Sequence, residues 1–204
     1  MHLCRIPPQL TAIWVVHDAA GFSEEDPDSY RGHFTLIYSV AHNLVHWVKG
    51  RWTAEELLHD STTLESCGGN CALEKVLEKF PQGDIIECFD SLSATCGLRR
   101  LACHSETFSG QIEWRGDILT RLGFNRRIFI FWFPRESNTL CDNGSKGFFS
   151  VVMAQLQERG LPPLTDTSLP RAEPRFLFCR GDFTIDDNYG ENALARQNIR
   201  GQLS

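Results

Sequence analysis

The most constraining feature of this chain is a pair of β-rich runs that lie close together near its N-terminal end. His33 to Val40 (HFTLIYSV) and Leu44 to Lys49 (LVHWVK) are rich in β-branched and aromatic residues, which favour extended strands. Only residues 41–43 separate the two runs, and a connection of three residues suits a hairpin loop. The segment therefore predicts an antiparallel β-hairpin, around which the rest of the chain must pack.

Two helices are predicted after the hairpin. Thr53 and Glu56 have the spacing of a capping box, which predicts a helix over residues 53–60 with acidic residues at its positive end. In the segment 71–80 (CALEKVLEKF), apolar residues recur with the helical period, and Pro81 follows directly.

The remaining segments complete a mixed pattern of strands and helices. The run RIFIFWF is apolar on both of its alternating faces, which predicts a central, fully buried strand. The run SNTLCDNGS predicts a turn. Strands are predicted at residues 12–16, 85–89, 127–133 and 175–179, a turn at 137–145, and helices at 117–122 and 147–159, while 91–107 stays ambiguous.

The fold class that follows is α+β: a single mixed domain with a central, partly antiparallel sheet and several short helices. We place this domain at residues 1–190 and a polar, flexible tail at 191–204. With 204 residues the chain is long enough for one sizeable core.

Charge and hydropathy limit the classes of partner. The net charge is −6, and the 20 Lys and Arg residues form no basic tract, so we expect no nucleic-acid partner. No apolar run reaches the roughly 20 residues of a membrane span, and the N-terminal residues resemble no secretory signal. We therefore expect a protein of the cytosol or nucleus, with no membrane partner and an unknown oligomeric state.

Cysteine and histidine residues were considered as metal ligands. The chain has eight cysteines, but CGGNC has three intervening residues and no second pair of the CxxC type follows it. Buried free thiols explain these residues better, so we expect no metal and no cofactor. The weak zinc set comprises Cys67, Cys71, Cys88, Cys96, Cys103 and His104, and a second weak set comprises His42, His46 and His59.

Two enzyme hypotheses remain open on the residues alone. Cys71 begins the predicted helix 71–80, where the helix dipole lowers a thiol pKa. His33 on a strand can serve as its base, as in a circularly permuted papain-like enzyme. A pair of carboxylates can instead serve glycoside hydrolysis. Candidates for that pair are Glu55, Glu56, Glu87, Glu113 and Asp117.

Several blocks of the sequence resemble the RolB/RolC (plast) family of proteins encoded on Agrobacterium T-DNA. The blocks are FTLIYS, LVHW, KGRW and AEELL in that order, then IFIFWFP, and finally RFLFCRGDFTIDDNYG. The resemblance implies a plant-tumour (crown gall) protein that acts in the cytoplasm or nucleus of the transformed plant cell. It would modulate growth through auxin or cytokinin balance or response.

The same resemblance implies a host plant protein, or a hormone or its conjugate, as the partner. The enzyme it implies is a glycosidase-like hydrolase that releases phytohormones from conjugates. No catalytic residue of the family maps onto this chain, so the catalytic residues stay unknown.

Overall fold

The computed structural model describes residues 12–26, 29–102, 105–123, 125–161 and 164–168. For residues 164–168 only the backbone is described. The predicted strand 175–179 and the predicted tail 191–204 lie outside these ranges. The strands are β1 (Ile13–Ala19), β2 (Gly32–Ser39), β3 (Leu44–Arg51), β4 (Ile85–Phe89), β5 (Ile128–Trp132) and β6 (Leu164–Ser168).

Five α-helices accompany these strands in the described part of the chain. Asp60 caps the longest of them, because its carboxylate accepts a hydrogen bond from the backbone N–H of Thr63 at 3.0 Å. Ser91 and Ser105 cap the next two helices in the same way. The helices are α1 (Ser61–Lys79), α2 (Leu92–Arg100), α3 (Glu106–Leu122), α4 (Thr139–Ser145) and α5 (Phe149–Glu158).

The six strands form one mixed sheet in the order β5-β4-β1-β2-β3-β6. β1, β2 and β3 pair antiparallel as a meander, which confirms the predicted hairpin of β2 and β3. β4 and β5 join the other side of β1 in parallel, and β6 pairs with β3 in parallel. Mixed pairing with helices between the later strands confirms the predicted α+β class.

Both faces of the sheet carry an apolar core, as the alternation along β1 requires. Ile13 and Val15 pack with α1 and α3, whereas Val16 packs on the opposite side with residues of α4 and α5. Gly68 and Gly69 let α1 lie close to the sheet, since a Cβ at either position would lie within 2.8 Å of a His33 or Phe89 carbon.

Two of the predicted helices differ from the structure. Thr53 and Glu56 do exchange capping-box hydrogen bonds, since the Thr53 backbone N–H donates to Glu56 Oε2 at 2.6 Å and the Glu56 N–H donates to Thr53 Oγ1. These bonds close only a 3₁₀ turn at Glu56–Leu58. The helix predicted to begin at Cys71 begins at Ser61 instead. The sequence pattern failed here because the first half of α1 is buried on several sides, so that it shows no amphipathic period.

Two further predictions near the C-terminal part of the domain are wrong. The segment 137–145, predicted as a turn, contains helix α4. The run IFIFWF forms β5 at the edge of the sheet, where Phe129 is 37% exposed and Trp132 is 47% exposed. Apolar residues on both faces predict a central strand, but here helix packing covers β5 only in part.

None of the described helices has the length and hydropathy needed to cross a bilayer.

Candidate active site

Three carboxylates converge where the neighbouring interior strands β1 and β4 end. Val16 of β1 lies in register with Cys88 of the parallel strand β4, and two residues further along each chain segment come Asp18 and Asp90. Glu65, in the first part of α1, completes the group. One oxygen of each carboxylate lies within 4.8 Å of the others. We refer to Asp18, Glu65 and Asp90 as the carboxylate cluster.

Burial makes the charged form of these carboxylates unfavourable. Asp18 and Glu65 are buried and Asp90 is half-buried, so their charges repel one another with little water to screen them. Burial, opposed by a hydrogen bond from Ser145 and reinforced by the charges of Asp90 and Asp142, raises the pKa of Asp18 to about 7. Burial first, and then the charges of Asp18 and Asp90, raise the pKa of Glu65 well above its ordinary value.

One oxygen of Glu65 has no partner among the residues that the structure describes. The Ala19 backbone N–H donates to its carboxylate, whereas the buried Oε1 atom receives no hydrogen bond from any described residue. An unsatisfied buried carboxylate oxygen costs free energy unless something positive binds it. The cluster therefore has the properties of a site that is completed by a cation.

Helix α4 brings a fourth carboxylate, Asp142, to the same region. Its charge acts on Asp18, and the same helix supplies Ser145, whose hydroxyl donates to Asp18 Oδ2. Ser145 Oγ also lies 3.0 Å from the carbonyl oxygen of Asp142 in the same helix. This short helix is therefore bonded directly to the cluster.

Asn138, directly before α4, ties the helix to the sheet. Its Nδ2 amide donates to the carbonyl of His17 at 2.8 Å and lies 3.3 Å from Asp90 Oδ2. Asp90 is held on its other side, because Trp132 Nε1 donates to its carbonyl at 2.9 Å. The positions of Asp18 and Asp90 are thus fixed by hydrogen bonds on several elements.

Two cations lie beside the acidic groups. Lys146 Nζ is 2.7 Å from Asp142 Oδ2, and Arg135 Nη2 is 3.5 Å from Asp142 Oδ1. The charges of Asp18, Asp90 and Asp142 together raise the pKa of Arg135 against the opposing effect of its partial burial. Arg135 therefore faces the whole acidic group as well as its nearest partner.

The structure does not support Cys71 and His33 as a nucleophile and its base. Cys71 lies in the middle of α1 and is fully buried in the core between α1 and α3, so it receives no help from a helix N-terminus. His33 is buried too, and its ring packs against Trp52 with centroids 5.0 Å apart. The physical basis of the papain-like hypothesis is absent.

The predicted cysteine and histidine metal sets are not brought together in the described residues. Cys88, Cys96 and Cys141 are free thiols, whereas Cys67 and Cys71 of α1 are buried in the core. Cys103 and His104 lie outside the described ranges. His46 is buried against Phe80, and His42 accepts or donates a hydrogen bond with Ser39 at 3.1 Å. Among residues that the structure describes, the carboxylate cluster is the group whose donor atoms can hold a metal.

The carboxylates predicted for glycoside hydrolysis are also dispersed. Glu113 and Asp117 are exposed on α3, and Glu55 is exposed before the 3₁₀ turn in which Glu56 lies. Glu87 is fully buried and pairs with Arg115, with His17 Nε2 3.4 Å away. None of the five belongs to the cluster.

Sequence reasoning missed Asp18, Glu65, Asp90 and Asp142. A usable signal was present, since Asp18 lies at the end of the apolar strand AIWVV and Asp90 directly follows the strand IIECF. Acidic residues at the ends of two parallel neighbouring strands meet at one edge of the sheet. The sequence pattern predicts a strand at 12–16 and another at 85–89 but does not indicate that they are parallel neighbours.

Comparisons with known proteins identify a fold and no family. No protein-family model and no curated protein matches the chain. Among solved structures, LC11-RNase H1 in complex with an RNA/DNA hybrid superposes with a TM-score of 0.52 and 13% identity, over 64% of this chain and 91% of that chain.

Two further solved structures superpose less closely. RNase H1 from the halophilic archaeon Halobacterium salinarum NRC-1 gives a TM-score of 0.47 and 20% identity, over 64% and 92% of the two chains. LC9-RNase H1 gives 0.45 and 11%, over 84% and 96%. The LC11 match shows that this chain has the fold of RNase H1, and at this identity it shows the fold alone.

These findings correct the expected function and partners. Growth modulation through auxin or cytokinin, with a host protein or a hormone as the partner, is wrong, because the fold is that of RNase H1. The exclusion of nucleic acid is wrong as well, since a protein of this fold is seen bound to an RNA/DNA hybrid. The resemblance to the RolB/RolC family itself stays a prediction.

Proposed function

We propose that this chain is a divalent-cation-dependent nuclease that hydrolyses the RNA strand of RNA/DNA hybrids. The observation that carries the proposal is the convergence of Asp18, Glu65 and Asp90 at the edge where β1 and β4 end, with Asp142 of α4 beside them. This arrangement occurs in a chain whose fold is that of RNase H1.

The donor set fits a hard divalent cation. Mg²⁺ and Mn²⁺ prefer carboxylate oxygens, and the cluster presents three such groups in a half-buried setting. The unpaired Oε1 atom of Glu65 and the raised pKa of Asp18 both indicate negative charge that the protein alone does not neutralise. Asp18, Glu65 and Asp90 would hold the cation, and Asp142 is placed to contribute.

A divalent cation bound there would polarise a phosphodiester and lower the pKa of bound water. The protein's own part is to hold its carboxylates in one arrangement before substrate arrives. Ser145 fixes one oxygen of Asp18, and Asn138 lies within hydrogen-bond distance of Asp90. Because these contacts come from one short helix and its first flanking residue, α4 sets the geometry of the site.

The choice of an RNA/DNA hybrid as substrate rests on the fold likeness. LC11-RNase H1, which matches over 91% of its length, is bound to such a hybrid. A chain with a net charge of −6 repels a polyanion, and divalent cations bound at the cluster would remove that repulsion locally by neutralising its carboxylates.

A cleavage assay with matched variants tests the proposal. The substrate is a hybrid with a labelled RNA strand, and the reaction is run with Mg²⁺, with Mn²⁺ and with EDTA. Asp18→Asn and Glu65→Gln keep the shape of each side chain but remove its charge, and we expect each to lower the rate at least about 100-fold. Asp117→Asn, an exposed carboxylate on α3, is the matched control and should cleave as wild type does.

Two results would contradict the proposal. One is wild-type protein that binds divalent cations and leaves every nucleic acid intact. The other is cleavage that survives in Asp18→Asn at the wild-type rate, which would trace the activity to a different site or to a contaminant.

A further inference from the structure

Arg135 lies beside the acidic groups of the candidate active site and remains largely exposed to solvent. It begins the 3₁₀ turn Arg135–Ser137 that joins β5 to α4, so its backbone is adjacent to Asn138 and to the helix that carries Asp142. Its guanidinium is 3.5 Å from Asp142 Oδ1, yet the side chain is 69% exposed. A cation this close to several acidic groups is usually held in close ion pairs, whereas the Arg135 side chain remains mostly exposed to solvent.

We propose that Arg135 is a substrate-binding residue, whose guanidinium pairs with Asp142 in the free protein and with a backbone phosphate of the nucleic acid in the complex. This inference rests on the proposed nuclease function and adds to it the group that meets the substrate from the protein side. The ligand proposed for Arg135 is thus the phosphodiester backbone of the substrate.

The geometry favours an exchange of partners. The Arg135–Asp142 contact is long for an ion pair and exposed, and pairs of that kind contribute little net stability. A guanidinium presents a planar fork of N–H donors that matches two phosphate oxygens, which makes the phosphate a stronger partner than a single distant carboxylate oxygen. The exchange therefore gives up little in the free protein.

Lys146 is less suited to the same task. Its Nζ atom is 2.7 Å from Asp142 Oδ2, it follows α4 directly, and its side chain is only 32% exposed. Lys146 thus balances the charge of Asp142 in place. When Arg135 leaves, Asp142 keeps one close cation, so the move does not leave that carboxylate unpaired.

The negative charges around Arg135 also explain why its side chain would stay beside the cluster in the free protein. Asp18, Asp90 and Asp142, from β1, the end of β4 and α4, all act on it. Divalent cations bound at the cluster would neutralise those carboxylates and weaken their attraction for the guanidinium. When cations are bound, Arg135 would then be free to leave Asp142 and bind the phosphate.

The test compares Arg135→Ala and Arg135→Lys with Arg127→Ala. Arg127 is an ideal control because it is 63% exposed and pairs with Asp84 at 2.8 Å, at the opposite end of the sheet. Fluorescence anisotropy with a DNA strand annealed to 2′-O-methyl RNA, in Mg²⁺ and at several KCl concentrations, measures binding without cleavage.

We expect Arg135→Ala to weaken hybrid binding about tenfold, the loss of one charge-assisted pair, and to reduce the slope of log K against log [KCl] by about 1. Arg135→Lys should retain the slope and recover part of the affinity, since it keeps the charge and loses the fork. Arg127→Ala should match wild type in both quantities. KM for cleavage should rise in Arg135→Ala more than kcat falls.

Calorimetry with Mn²⁺ alone separates this role from a structural one. Removal of Arg135 should leave Mn²⁺ affinity unchanged or tighten it about two- to fivefold, because a competing positive charge is lost. If Arg135→Ala binds the hybrid with the same affinity and salt slope as Arg127→Ala, or if it loses Mn²⁺ binding, the role assigned to Arg135 is wrong. That failure leaves the nuclease proposal standing when Asp18→Asn is still inactive, whereas full activity of Asp18→Asn overturns the function itself.

Discussion

Replacing Asp18 by Asn should stabilise this protein when no divalent cation is present. The carboxylate is held among other acids with its pKa raised from 3.8 to about 7, so the folded state binds its proton more tightly than the unfolded state does. Stability contributed by the protonated form is therefore lost as pH rises from about 4 to about 7. Asn has the same shape, and its carbonyl oxygen can still accept the hydrogen bond from Ser145.

The size of the effect follows from the difference in pKa. At about 1.36 kcal/mol per unit, keeping Asp18 in the folded state costs about 2 kcal/mol at pH 5 and about 4 kcal/mol at pH 8. The advantage of Asp18→Asn over wild type should therefore grow by roughly 2 to 3 kcal/mol between these two pH values. Glu65 and Asp90 also gain when a like charge is removed, which acts in the same direction.

Urea unfolding in EDTA, followed by circular dichroism at pH 5 and pH 8, measures this advantage. Asp117→Asn on the exposed face of α3 should change the free energy of unfolding by less than about 0.5 kcal/mol at both pH values. Mg²⁺ at about 100 times its Kd should reduce the advantage of Asp18→Asn by about 2.7 kcal/mol, because the ligand stabilises wild type by that amount and Asp18→Asn binds it poorly. If Asp18→Asn is no more stable than wild type at pH 8 in EDTA, the strain assigned to the cluster is wrong.

Two further predictions concern packing. Arg115→Met leaves the buried carboxylate of Glu87 without its main partner and should lower the free energy of unfolding in urea by about 3 to 5 kcal/mol. The double variant with Glu87→Leu should recover most of that loss, because it removes the buried charge as well. A double variant as unstable as the single one would contradict this. Phe129→Thr on the exposed edge strand β5 should cost less than about 1.5 kcal/mol, and Phe89→Ala in the buried neighbour strand about 3 to 5 kcal/mol. Equal losses at the two phenylalanines would show that β5 is covered after all.

The strands were largely predictable from the sequence, because local pattern decides them. The run at 33–49 gave β2 and β3 almost to the residue, and 85–89 gave β4. β-Branched and aromatic residues with a short polar loop leave few alternatives. The position of β5 in the sheet was not predictable in this way, since an apolar strand can be central or lie at an edge beneath partial helix cover.

Helices and the site were harder for a specific physical reason. The first half of α1 contains Glu65, Asn70 and two glycines in buried positions, so its amphipathic period is obscured. The glycines are there because His33 and Phe89 lie directly beneath them, which is a tertiary cause. The four acids are separated in sequence by 25 residues or more and meet only through the parallel pairing of β1 with β4 and the docking of α4. Attention to cysteine and histidine spacing could not have found them.

The most direct test of the account is strand-resolved cleavage. Wild-type protein with Mg²⁺ or Mn²⁺ is given four duplexes: a hybrid labelled on its RNA strand, the same hybrid labelled on its DNA strand, double-stranded DNA and double-stranded RNA. We predict cleavage of the labelled RNA strand of the hybrid alone, with no cleavage in EDTA or with Asp18→Asn. An intact RNA strand in the hybrid, under conditions where the protein is folded and binds the cation, would contradict the central claim.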